Sequence, residues 1–73
     1  MGEAEEAVKK GLTVFAKHVL EADPNIRPGD EVAVVGGEGE ILAVGRAVLS
    51  GFEMVEFKAG VAVKVRRGVK GKG

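Results

Sequence analysis

Few side chains in this 73-residue chain are equipped for covalent chemistry. Ser50 is its one serine and His18 its one histidine, so a serine-class hydrolase would have to pair those two. Ser50, however, stands three residues before Glu53, the spacing of a helix-capping box, and that is a sufficient use for its hydroxyl. The absence of cysteine removes a thiol nucleophile, a thiolate zinc site and a disulfide framework together, and one histidine is too few for an all-histidine metal site. Asp30-Glu31 and Glu38/Glu40 lack the ligand spacing of a calcium loop, and adjacent strand residues point to opposite faces, so these acids read as solvated edge charges. Gly36-Gly37-Glu38-Gly39 fits neither GxxxxGK[ST] nor GxGxxG. The expectation is a non-catalytic chain without cofactor or metal.

What remains is charge. Eleven acids and eleven bases cancel in the whole chain. Residues 1 to 57 nevertheless hold all the acids, while the stretch after them carries Lys58, Lys64, Arg66, Arg67, Lys70 and Lys72 and no acid. Such an end is either a solvated basic run or a surface for a polyanion. Lys9-Lys10-Gly11, then Lys17 and His18, then Lys64 and Arg66 can form one basic face. A face of this kind grips phosphates through point charges and backbone amides, with salt-dependent affinity and little reading of bases. For stacking on bases the chain offers Phe15, Phe52 and Phe57, and the last two are expected in the core.

The elements that must position these groups follow from periodicity. Ala4, Ala7, Val8 and Leu12 recur at helical spacing from Glu3, with Glu5 and Glu6 four residues before Lys9 and Lys10, and Gly11 suits a left-handed terminator. Thr13 to Leu20 fits a helix or a strand, and periodicity leaves both open. Glu21 to Asp30 carries two prolines and reads as a loop. Glu31 to Val35 and Glu40 to Leu49 flank a glycine-rich reversal and form a hairpin, with Gly45 marking a bulge or a close backbone approach. Ser50 and Glu53 start a short helix from Gly51 to about Lys58, stapled by Leu49 and Met54 and ended at Gly60. Val61, Val63 and Val65 alternate with Ala62, Lys64 and Arg66, which predicts a strand with one apolar and one basic face, and the residues from Gly68 read as a flexible basic tail. The fold class is a small, mostly β domain with two short peripheral helices. No stretch approaches the roughly 18 apolar residues of a membrane span, so a soluble, cytoplasmic chain is expected.

The stretch from Gly11 to Val19, Ile26-Arg27-Pro28-Gly29-Asp30-Glu31-Val32, Leu42-Ala43-Val44-Gly45-Arg46-Ala47, Ser50 with Glu53-Met54, and Gly60 to Arg66 together resemble the PUA domain, the RNA-binding module attached to pseudouridine synthases and archaeosine transglycosylases. The Val-Phe-Ala-Lys stretch and the Glu-Met pair look most like the version at the C-terminus of archaeal tRNA-guanine transglycosylases. The resemblance covers Glu3 to Arg67, so the domain is expected over residues 1 to 67 and the tail over 68 to 73. It implies a PUA-like pseudo-barrel and RNA binding, often at an acceptor stem or its CCA end, by Lys9, Lys10, Gly11, Thr13, Phe15, Lys17 and His18 on one side and Lys64, Arg66 and Arg67 on the other. Two departures stand out. A histidine occupies position 18 where many members carry a second glycine, and the strand that usually precedes the first helix has no counterpart in this sequence. The second departure implies marginal stability, or supply of that strand by a catalytic tRNA-modification subunit or by self-association. The alternative function is a module that docks on a catalytic partner and does not touch RNA.

Overall fold

The computed structural model describes residues 2–57 and 59–70. The chain runs helix α1 (Gly2–Lys9), strand β1 (Val14–Phe15), a 3-10 turn (Ala16–His18), strands β2 (Glu31–Val35) and β3 (Ile41–Ala47), helix α2 (Gly51–Glu56) and strand β4 (Val61–Gly68). The four strands form one antiparallel sheet in the order β1-β4-β3-β2. Among the described residues no helix is long and apolar enough to cross a membrane.

Local chemistry accounts for most boundaries. Gly11 takes φ 96°, ending α1 as a left-handed terminator should, and the Gly11 amide donates to Val8 O at 2.9 Å. That reversal takes Leu12 out of the apolar stripe expected of it, and Leu12 is 57% exposed while Val8 is buried. The ambiguous segment after it is both of its options in turn: two strand residues, then a single 3-10 turn. The loop before β2 is held by side chains standing in for backbone, Asn25 N donating to Asp23 Oδ1 at 2.8 Å and Arg27 N to Asp30 Oδ2 at 2.9 Å. The expected hairpin turns at Gly39, φ 85°, and Gly36 N donates to Glu40 O at 2.8 Å. Its acids are exposed, as expected of edge charges, and Glu40 also accepts from Glu38 N, while Glu5 of α1 accepts from Gly37 N at 2.9 Å.

Gly45 meets both readings offered for it. The β3–β4 register shifts between Val44 and Gly45, and a Cβ on Gly45 would lie 2.3 Å from Lys64 O and 2.8 Å from Val65 Cα. The strands therefore pack more closely here than any other residue would permit.

Ser50 caps α2. Its hydroxyl accepts from Glu53 N at 3.1 Å and the Glu53 carboxylate accepts from Ser50 N at 3.0 Å, which completes the capping box. Met54 is buried and Leu49 packs against the same cluster, as the staple requires. The helix ends at Glu56, short of the expected bound; Lys58 lies outside the described residues.

Phe52 and Phe57 do not enter the core: they are 68% and 47% exposed. Gly51 sets this orientation, because a Cβ there would fall 2.0 Å from Asp23 O. The helix must present Gly51 and Met54 inward, and Phe52 is turned outward. The core is built instead from small and medium side chains, among them Val8, Val14, Leu42, Met54 and Val63.

In β4 the alternation holds from Val63 to Arg66, but Ala62 is fully buried, so the basic face starts at Lys64. The residues after Arg67 correct the expectation of a tail from Gly68. Gly68 is buried and pairs with Ala43, Val69 N donates to Leu42 O at 2.9 Å, and Lys70 N to Lys9 O at 2.8 Å. Residues 71–73 of the expected tail lie outside the described ones.

Candidate nucleic-acid interface

β4 lies between β1 and β3 and packs against α1 and the 3-10 turn as well. At its C-terminal end it meets the end of α1 backbone to backbone: a Cβ on Gly68 would lie 2.2 Å from Lys9 O and 2.6 Å from Gly11 N. This approach fixes Lys9, Lys10 and Gly11 beside the strand. Lys10 is exposed. Lys9 is not a free cation: its ammonium is 3.5 Å from Glu6 Oε2 and its side chain only 22% exposed. Lys70, from the segment expected to be a tail, reaches the same glutamate at 3.2 Å. The hydrogen bond from Lys70, then the charges of Lys70 and Lys9, hold the Glu6 carboxyl below its ordinary value.

From Gly11 the chain runs along β4 in the opposite direction. Thr13 is half-buried, Val14 pairs with Val63, and Phe15 pairs with Val61 after a register shift. Phe15 is 45% exposed beside the buried Val14, as alternation along a strand requires. Ala16 N donates to Gly60 O at 2.9 Å and fixes the start of the 3-10 turn. Lys17 and His18 then stand exposed on that turn. Phe15, Lys17, Ala59 and Gly60 line an open depression of about 350 Å³.

Lys64, Arg66 and Arg67 are exposed on β4. Two successive residues, Arg66 and Arg67, escape alternation because β4 carries an extra residue where Val44 pairs with Arg67 and Gly45 with Val65. Arg66 spans β3 to reach Glu31 of β2, its two terminal nitrogens 3.1 and 2.9 Å from the two carboxylate oxygens. Both partners are more than half exposed, so the pair contributes little to stability.

The ten expected residues therefore fall into two groups joined by β4. Lys9, Lys10, Gly11, Thr13, Phe15, Lys17 and His18 follow its β1 edge, and Lys64, Arg66 and Arg67 project from the strand itself. Sequence reasoning missed Arg46, which pairs directly with Lys64 across β3 and β4 and is exposed. The signal was a single charge in an otherwise apolar strand.

Comparison with known proteins agrees with this architecture. The sequence profile of the PUA domain matches residues 1–69. Over 69 residues the chain is 59% identical to tRNA-guanine(15) transglycosylase of Pyrococcus abyssi, an alignment covering 94% of this chain and 12% of that enzyme. The chain thus spans a small part of the curated relatives it matches. A PUA domain protein of Thermoplasma acidophilum superposes with a TM-score of 0.88 at 28% identity, over 96% of this chain and 46% of that one. A chain of the archaeal box H/ACA sRNP Nop10-Cbf5 complex does so with a TM-score of 0.87 at 30% identity, over 96% and 22%. With the profile matched across residues 1–69, and the sheet flanked by two short helices shared with solved PUA structures, this chain belongs to the PUA domain family.

Proposed function

We propose that this domain is a non-catalytic RNA-binding module that holds a tRNA at its acceptor stem or CCA end, as part or accessory of a tRNA-modifying enzyme. The observation that carries the reading is the β1–β4 edge. There the exposed Phe15 and Lys17 line an open hollow, Lys10 lies toward one end of the edge, and Lys64 and Arg67 are on the adjoining strand. A single-stranded end offers an unstacked base for the ring, worth about 1–3 kcal/mol per base, and phosphates for the cations. The relatives fit this reading: one is named for action on a tRNA guanine, and another sits in a ribonucleoprotein. A non-catalytic role is supported by Ser50, whose hydroxyl is committed to capping α2.

The test is a fluorescence-anisotropy titration of the 73-residue chain against a tRNA transcript with and without its terminal CCA, at two salt concentrations. Expected is binding that weakens steeply with salt and drops when CCA is removed. A second reading, docking on a catalytic partner without contact to RNA, draws on the exposed rings of Phe52 and Phe57. It predicts no binding to either transcript even at low salt, and that result would replace the first reading.

A further inference from the structure

The exposed face of the sheet carries one cation that the proposed edge site does not use, Arg46, set beside one that it does, Lys64. Strand pairing sets Lys64, Arg46 and Glu31 in one row across β4, β3 and β2. Directly opposite residues share a face, with Cβ atoms about 4.5–5.5 Å apart, and like charges in such a pair destabilise the sheet. Arg46 and Lys64 are such a pair. The natural relief is Glu31, the direct neighbour of Arg46. That carboxylate is instead held at both oxygens by Arg66, which reaches over from β4. Among the described residues neither Arg46 nor Lys64 has an ion-pair partner. The next row, Arg67 opposite Val44 and Val44 opposite Ala33, adds another exposed cation and no acid.

We infer that Arg46 and Lys64 together form a phosphate-binding site on the sheet face for an RNA backbone, with Glu31 acting as an internal counter-ion that restrains Arg66. The inference rests on the RNA-binding reading above and adds a contact, Arg46, outside the edge. Two cations within one strand spacing of each other can reach a single phosphate, whose several oxygens accept from both. Arg66 meets Glu31 in the fork geometry that a phosphate would also fill, so an incoming backbone competes with Glu31 for it. Contacts of this kind carry no base information and act equally on any RNA that covers the face.

The experiment measures the salt dependence of anisotropy-detected binding for the wild-type chain, Arg46→Gln, Arg46→Lys and Glu31→Gln, on the tRNA transcript with and without CCA. Neutralising one phosphate contact changes the log-log salt slope by about 0.7–0.9. Arg46→Gln should flatten the slope by about that amount on both transcripts, Arg46→Lys should restore it, and Glu31→Gln should steepen it. Thermal melts provide a readout independent of RNA: because Arg46 opposes a like charge, Arg46→Gln should leave the midpoint unchanged or raise it. Wild-type binding that Arg46→Gln leaves untouched overturns the inference while leaving the edge site standing. A lowered midpoint with an unchanged slope assigns Arg46 a structural role and likewise overturns it. Absence of wild-type binding removes the RNA reading itself.

Discussion

Replacing Gly68 by alanine tests the joint between α1 and β4 on which the edge site depends. The added Cβ would lie 2.2 Å from Lys9 O and 2.6 Å from both Lys9 C and Gly11 N, where ordinary contact begins near 3.4 Å. All three are backbone atoms, so no rotamer relieves the overlap, and the end of α1 must retreat by about an ångström. That retreat works directly against the hydrogen bond from Lys70 N to Lys9 O. Overpacking costs about 1–3 kcal/mol and the lost hydrogen bond about 1 more, so Gly68→Ala should destabilise the chain by about 2–4 kcal/mol. At about 4–8 °C per kcal/mol for a domain of this size, the thermal midpoint should fall by about 10–30 °C. Gly36→Ala is the matched control. Its Cβ would also approach too closely, 2.8 Å from Glu40 Oε1, but that contact is the far end of an exposed side chain that can swing away. Its cost should stay within about 1 kcal/mol, the worth of the Glu38–Glu40 hydrogen bond it disturbs. Circular-dichroism melts of the two variants and the wild type decide the matter. If Gly68→Ala melts within a few degrees of the wild type, or Gly36→Ala falls as far, rigid backbone contact at Gly68 does not hold the joint between α1 and β4.

Two further perturbations follow from the same structure. Ser50→Ala removes the acceptor for Glu53 N and should cost about 1 kcal/mol, read as a midpoint lowered by about 4–8 °C, and Ser50→Asp should recover most of it. Glu6 has a folded-state pKa below its ordinary value, through Lys70 first and Lys9 second, so its contribution to stability is present above the unfolded value of 4.5 and is lost as pH falls through the depressed one. Glu6→Gln should therefore show a smaller loss of urea midpoint than the wild type between about pH 6 and pH 3, with the difference narrowing in high salt because all three groups are solvent-exposed to some degree; equal losses at low salt would refute this.

What could be read from the sequence was local. Ser50 with Glu53, Gly11 as a terminator and Gly45 as a bulge each rest on residue types that satisfy one backbone requirement, and each holds in the structure. What failed needed long-range information. A six-residue helix has too few turns to reveal its buried face, and only the close fit of Gly51 against Asp23 O turns Phe52 outward. Gly68 to Lys70 read as a tail because the hydrogen bonds that hold them come from Leu42 and Lys9. The same limit applied to the candidate site. Its cations could be picked out along the chain, but Arg46 becomes a neighbour of Lys64 only through strand register, and Lys9 is known to be engaged only once Glu6 is placed beside it.

The sheet order carries a consequence for how the domain comes into being. Among the described residues β4 is the last strand in sequence but sits inside the sheet, where it supplies β1 with its partner and β3 with one of its two. Before Val61–Gly68 has been synthesised, β1 has no strand neighbour, β3 has only β2, and the end of α1 lacks its backbone contact with Gly68. Pairing Val14 with Val63 also closes a long loop, the kind of contact whose entropy delays folding. A nascent chain can thus form the β2–β3 hairpin early, yet the edge hollow and the row of cations arise together in one late step. The proposed RNA grip is complete only once β4 has paired: the early hairpin carries Arg46 and Glu31 without Lys64, Arg66 or Arg67.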